Sequence, residues 1–179
     1  MQAENPWALK EWAVVCAALA EGAQALVLRK GGIAEGPDGF QAEHPEFWLL
    51  PTQFHQSANQ LRPDAGRWIE RAAAYAPPAG KLSIDLYAVV ESVRRIVRED
   101  ELEELIPQQI LARDTVLQRF HYRQPGLFAL ELRLWQRESP WTLSDLPACA
   151  GCHSWVELDR TLSTDGLRQV VDGASQPGR

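Results

Sequence analysis

Two neighbouring stretches hold most of the chemically capable side chains. The first ends Leu26-Val-Leu-Arg29-Lys30-Gly31-Gly32, an apolar run that delivers two cations and two glycines to one point. The second runs from His44 through Phe47-Trp-Leu-Leu50 to Pro51-Thr52 and His55-Gln56. Glycines let successive backbone N–H groups converge on an anion, and an arginine adds a planar, two-pronged donor. Phosphate or carboxylate binding by Arg29, Lys30, Gly31 and Gly32, with Thr52 and Gln56 as polar neighbours, is the chemistry this pattern suggests. The Gly-x-x-x-x-Gly-Lys spacing of a P-loop is absent, so the site is not of that kind. The bland alternative is a solvated cation pair before a turn, since strand alternation sends adjacent side chains to opposite faces.

Imidazoles offer proton transfer near neutral pH. His55 and His44, with Glu11 as a candidate carboxylate partner, are the groups a hydrolase would use. Eleven residues of extended chain separate the two histidines, which argues against a shared metal. No metal site and no cofactor is expected. Arg119, His121 and Arg123 alternate ahead of a Pro125-Gly126 turn. If that segment is extended, all three project from one face. Phe120, Tyr122, Trp135 and Trp141 lie among these cations, a combination suited to stacking on unpaired bases. The competing reading makes the aromatics core and the arginines solvated.

Cys149-Ala-Gly-Cys152-His153 has the letters of a haem-attachment motif. No export signal is expected for this sequence and the haem-binding shell such a motif needs is not evident in it, so a structural turn is the default. A loose likeness to the opening of Nudix hydrolases also fails. The helix that should bear several glutamates has only Glu70.

The elements that must position these groups follow from periodicity. Glu11–Leu19 and Gln24–Lys30, joined by Glu21-Gly22, suggest a β-hairpin, although the alanines of the first run also suit a helix. Phe47–Leu50 is apolar on both faces and reads as an interior strand. Asp64 is a plausible N-cap for a helix to Tyr75 with Trp68, Ile69, Ala72 and Ala73 on one stripe. Lys81–Ile96 is a strand, Glu99–Leu111 an acidic-faced helix, Val116–Phe120 part of another. Leu127–Gln136 alternates cleanly as a half-exposed strand, and Ser154–Leu158 is one more. A short helix is expected around Leu167–Val171. The order gives an α+β fold: a single mixed domain with a central, largely antiparallel β-sheet or partial barrel and flanking helices. Residues 1–160 form that domain, and 161–179 a partly disordered C-terminal extension.

At 179 residues the chain can bury a core without staples. Its formal charge of -6 argues against broad binding to duplex DNA but leaves room for a local basic site. Three cysteines are too few for a disulfide framework, and no apolar run approaches a membrane span. A cytoplasmic protein is expected.

Several segments together resemble the uncharacterised bacterial domain-of-unknown-function family 1802. They are Ala8-Leu-Lys-Glu-Trp-Ala-Val14, Leu28-Arg-Lys-Gly-Gly-Ile33, His44-Pro-Glu-Phe-Trp-Leu-Leu-Pro-Thr52 with His55-Gln56, Arg119-Phe-His-Tyr122, and Ala150-Gly-Cys-His-Ser-Trp-Val-Glu-Leu158. The resemblance implies a small single-domain bacterial protein and brings no activity, cofactor or catalytic residue with it. The residues themselves favour a binding or processing module for a phosphate-bearing ligand, single-stranded nucleic acid or a nucleotide. A hydrolase with a His/carboxylate site and a protein-interaction domain are the alternatives.

Overall fold

The computed structural model describes residues 1–30, 42–53, 57–74, 76–144 and 153–171. Seven strands form one mixed sheet: β1 (Glu4–Trp12), β2 (Leu26–Arg29), β3 (Glu46–Thr52), β4 (Lys81–Ile96), β5 (Leu127–Ser144), β6 (Trp155–Ser163) and β7 (Arg168–Gln169). Among the described residues three α-helices accompany them: α1 (Ala13–Ala20), α2 (Arg67–Ala74) and α3 (Arg113–His121). The sheet order is β2-β5-β4-β3-β1-β6, with β7 added to β5. β1 and β3 are parallel and every other pairing is antiparallel.

Both faces of the sheet are buried. Leu9, Phe47, Leu49, Leu86, Ala88 and Leu130 pack into the cluster that the helices cover. Ala8, Trp48, Leu50, Tyr87 and Val156 pack into a second cluster on the opposite face. Adjacent residues of β3 therefore alternate between two cores, as the doubly apolar Phe47–Leu50 run requires. Leu143 of β5 and Leu158 and Leu162 of β6 share the second cluster although β4, β3 and β1 lie between their strands. The sheet must curl for them to meet. The expected α+β domain with a central, largely antiparallel sheet is the observed architecture, and the sheet is open, its edge strands β2 and β6 not pairing.

Four local expectations are corrected. The run after Glu11 is not the first arm of a hairpin: it turns at Trp12 into α1, and β2 pairs with β5 instead. Its alanines favour helix, and a helix whose residues are nearly all buried carries little amphipathic signal to reveal it. Glu99–Leu111 forms two short 3-10 turns, Glu99–Leu102 and Ile106–Gln108, because Pro107 denies a continuous ladder its N–H. The helix expected from Asp64 starts at Arg67, after a 3-10 turn over Pro63–Ala65. Asp64 is taken by the Arg62 side chain at 2.9 Å. Trp68 and Ala72 are buried as the stripe predicts, whereas Ala73 is exposed. The segment after Leu167 adds strand β7 rather than a helix.

Candidate functional site

Chain segments distant in sequence meet around Glu11, the penultimate residue of β1. Its carboxylate is 3% exposed. One oxygen accepts the Trp12 N–H at 2.7 Å and the other accepts Arg29 Nη1 at 3.0 Å. Arg29 reaches this point from the end of β2. The same Nη1 donates to the Lys10 carbonyl at 2.9 Å, and Nη2 donates to the Ser154 hydroxyl at 2.5 Å. Thr52, at the end of β3, donates its hydroxyl to the Glu11 carbonyl at 3.1 Å. The cluster thus joins the ends of β1, β2 and β3 to the entry of β6.

A second cation stands beside this pair. Arg119, in the last turn of α3, lays its guanidinium over the Trp12 ring at 4.2 Å from the centroid. Its hydrogen bond to the Leu28 carbonyl is long, at 3.5 Å. Burial pulls its pKa down; the Glu11 carboxylate opposes that effect and the Arg29 charge adds to it. Among the described residues, two half-buried guanidiniums share one buried carboxylate, which Arg29 already occupies. Such a place carries local positive charge in a chain whose formal charge is -6.

Lys30 has a different task. Its ammonium donates to the carbonyls of Phe120 at 3.0 Å and Gly126 at 2.8 Å, and to that of Gln124. It thereby satisfies acceptors at and beyond the C-terminal end of α3. Gly126 sits at φ 136, and a Cβ there would lie 3.3 Å from the Ile96 carbonyl, so the turn into β5 needs glycine. Arg119 thus belongs to the last turn of α3, and Lys30 binds the carbonyls at and beyond that turn.

The other sequence candidates are placed as follows. Arg119, His121 and Arg123 do not line one extended face, because the first two are helical. Two residues of helix turn the side chain by about 200°, so Arg119 points inward while His121 pairs with Glu99 at 2.7 Å on the surface. Arg123 follows the helix with φ 62 and lies over the Tyr122 ring. His44 stacks on Trp7 with centroids 4.1 Å apart and meets the edge of Trp155 at 4.8 Å. Burial lowers its pKa, with Glu43 opposing. Gly31, Gly32, His55 and Gln56 lie outside the described residues, as do Cys149 and Cys152. Among the described residues, no group of three His, Cys, Asp or Glu is arranged to hold a metal ion. No helix among them is long and apolar enough to cross a membrane.

A cavity of about 360 Å³ opens next to the cluster, with Thr52 as the shared wall. α1 supplies Ala13, Cys16, Ala17 and Ala20, and the antiparallel β4–β5 pair supplies Lys81, Leu82, Asp85 and Gln136. Pairing shifts between Ile84 and Leu86, where Asp85 stands opposite the extra residues 137–140 of β5. A bulge re-aims a side chain relative to its neighbours. Gln136 Nε2 donates to the Asp85 carboxylate at 2.8 Å. Burial pushes the Asp85 carboxyl above its usual range despite this bond.

Trp12, Ser154, Asp85 and Gln136 escaped sequence reasoning. Asp85 alone carried a signal: it is an isolated acid inside Leu82-Ser-Ile-Asp-Leu86, a run otherwise suited to a buried strand.

The family described as "Domain of unknown function (DUF1802)" matches residues 8–175. The chain belongs to the DUF1802 family. The match contains every described residue of the arginine cluster and of the cavity, so both are built from the DUF1802 domain itself. Among curated proteins none matches this chain. Of solved structures, ASCH from Zymomonas mobilis is similar at 12% identity and a TM-score of 0.45, over 75% of this chain and 68% of that one. The Y47F mutant of the same protein gives 12% and 0.46, over 77% and 74%. At that distance nothing of ASCH activity passes to the DUF1802 chain.

Proposed function

We propose that this protein binds a phosphate-bearing ligand, a single-stranded nucleic acid or a nucleotide, at the Arg29–Arg119–Trp12 cluster. The observation that carries this reading is Arg119 itself. A half-buried guanidinium with one long hydrogen bond, stacked on an indole beside the Arg29–Glu11 ion pair, is short of anionic partners among the described residues. A phosphate oxygen supplies what is missing, and charge-assisted bonds to arginine are the strong ones. In this reading Glu11 is a positioning residue. It fixes Arg29, and Ser154 and the Lys10 carbonyl hold the same guanidinium in plane. Arg29 and Arg119 form the anion-facing surface, with Trp12 as their apolar support. The aromatic and cationic mixture suits unpaired bases better than a duplex.

Fluorescence anisotropy with short labelled RNA and DNA strands over a salt series tests the proposal. Binding at low salt that weakens as salt rises, with a log–log slope of about -0.7 per phosphate contacted, is expected. Absence of binding at low salt, or binding indifferent to salt, defeats it.

A further inference from the structure

The cavity beside the cluster has features the anion site does not use. Ala13, Ala17 and Ala20 fall on one face of α1 and line it. Their methyl groups make a flat apolar wall. Leu82, Asp85 and Gln136 of the β4–β5 pair also line it. At about 360 Å³ the space lies at the small end of the range for ligand pockets, roughly 300–1,000 Å³.

A carboxylate in such a place has a defined appetite. Each oxygen carries two acceptor sites, so the one accepting Gln136 Nε2 retains capacity. Its two oxygens can accept two parallel N–H donors, the same fork that a guanidinium offers. No described cation pairs with Asp85; Lys81, Glu21 and Cys16 are the other titratable groups in the wall, and Glu21 is tied to Arg71 at 3.0 Å.

We propose that this cavity is a slot for a flat heterocycle bearing two adjacent N–H donors, of which a guanine base is the common example. The ring lies against the alanine face of α1, and its N1–H and 2-amino group meet the Asp85 carboxylate, which Gln136 holds in place. The break in β4–β5 pairing at this point accompanies the placement of Asp85 in the cavity wall. This goes beyond the phosphate reading and stands without it, since a nucleoside carries no phosphate.

The experiment is calorimetric titration of the full chain with guanosine, inosine and adenosine, together with 5′-GMP. Guanosine should bind saturably. Inosine lacks the 2-amino donor and should bind about tenfold more weakly, the cost of one good hydrogen bond. Adenosine, which offers no such donor pair, should not bind measurably. Asp85→Asn removes the charge-assisted fork, and Ala17→Phe fills the slot from the other wall. Each should lower guanosine affinity at least tenfold while circular dichroism shows a folded protein with a cooperative melt. Failure of guanosine to bind, equal affinity for adenosine, or unchanged affinity in both variants overturns the proposal. Binding of 5′-GMP without guanosine also overturns it while leaving the arginine cluster as the anion site.

Discussion

Arg29 and Glu11 touch at 3.0 Å although their strands stand four places apart in the sheet. Laid flat, four strand spacings amount to about 19 Å, farther than the two side chains can bridge. The contact is therefore a clasp that the curl of the sheet makes possible, and the same arginine also holds Ser154 at the entry of β6. Bridging the curled sheet and building the anion-facing surface are one structural act.

Breaking the clasp should be costly. Glu11→Ala leaves the Arg29 charge half-buried without its carboxylate, a change worth about 3–5 kcal/mol where a buried pair is broken. Urea denaturation reads this directly. A double-mutant cycle with Arg29→Met should show that most of the loss is shared between the two residues. A Glu11→Ala protein within about 1 kcal/mol of the parent would mean that the pair is no more than a surface contact.

Lys30 should behave as a structural residue. Lys30→Met removes the ammonium from three carbonyls around the end of α3, with an expected loss of about 1.5–3 kcal/mol. Hydrogen exchange should quicken at Tyr122 and Gly126, whose N–H groups bond back to α3. If stability and exchange stay unchanged while ligand binding disappears, Lys30 belongs to the binding surface instead.

Asp85 should weaken the fold at neutral pH. Burial raises its folded pKa above the unfolded value, so its contribution is fullest below about pH 4. That contribution is lost as pH rises through the folded pKa. Asp85→Asn should therefore be more stable than the parent at pH 7, and the gap should close as pH falls toward 3. Equal melting temperatures across that range would show that ionised Asp85 sits without strain.

His44 gives the opposite slope. Its folded pKa lies below the unfolded value near 6.5, so the neutral ring between Trp7 and Trp155 stabilises the fold above about pH 6.5. The benefit fades as pH drops through that value toward the folded pKa. His44→Phe keeps the stacking and should flatten the stability profile between about pH 5 and 7. An unchanged profile would assign that slope to other groups.

Strands with a clean period were legible before folding. Lys81–Ile96 is β4 to the residue, and the alternation of Leu127–Gln136 marks the first part of β5. What periodicity cannot show is a helix with most of its residues buried, such as α1, or a break in strand pairing, such as the one at Asp85. The basic character of Arg29 and Arg119 was visible, but their meeting was not. It depends on the curl of the sheet and on α3 being helical, which turns Arg119 inward and sends His121 to solvent. Trp12 looked like core because its role as a platform for Arg119 involves a residue 107 positions away.

The central claim is that Arg119 on Trp12 faces a phosphate. Titrating the parent and Arg119→Ala with one single-stranded oligonucleotide at low salt tests it most directly. The account predicts salt-sensitive binding by the parent and at least a tenfold loss in Arg119→Ala, with Arg119→Lys recovering only part. Equal affinities for parent and Arg119→Ala, with both folded, would contradict it.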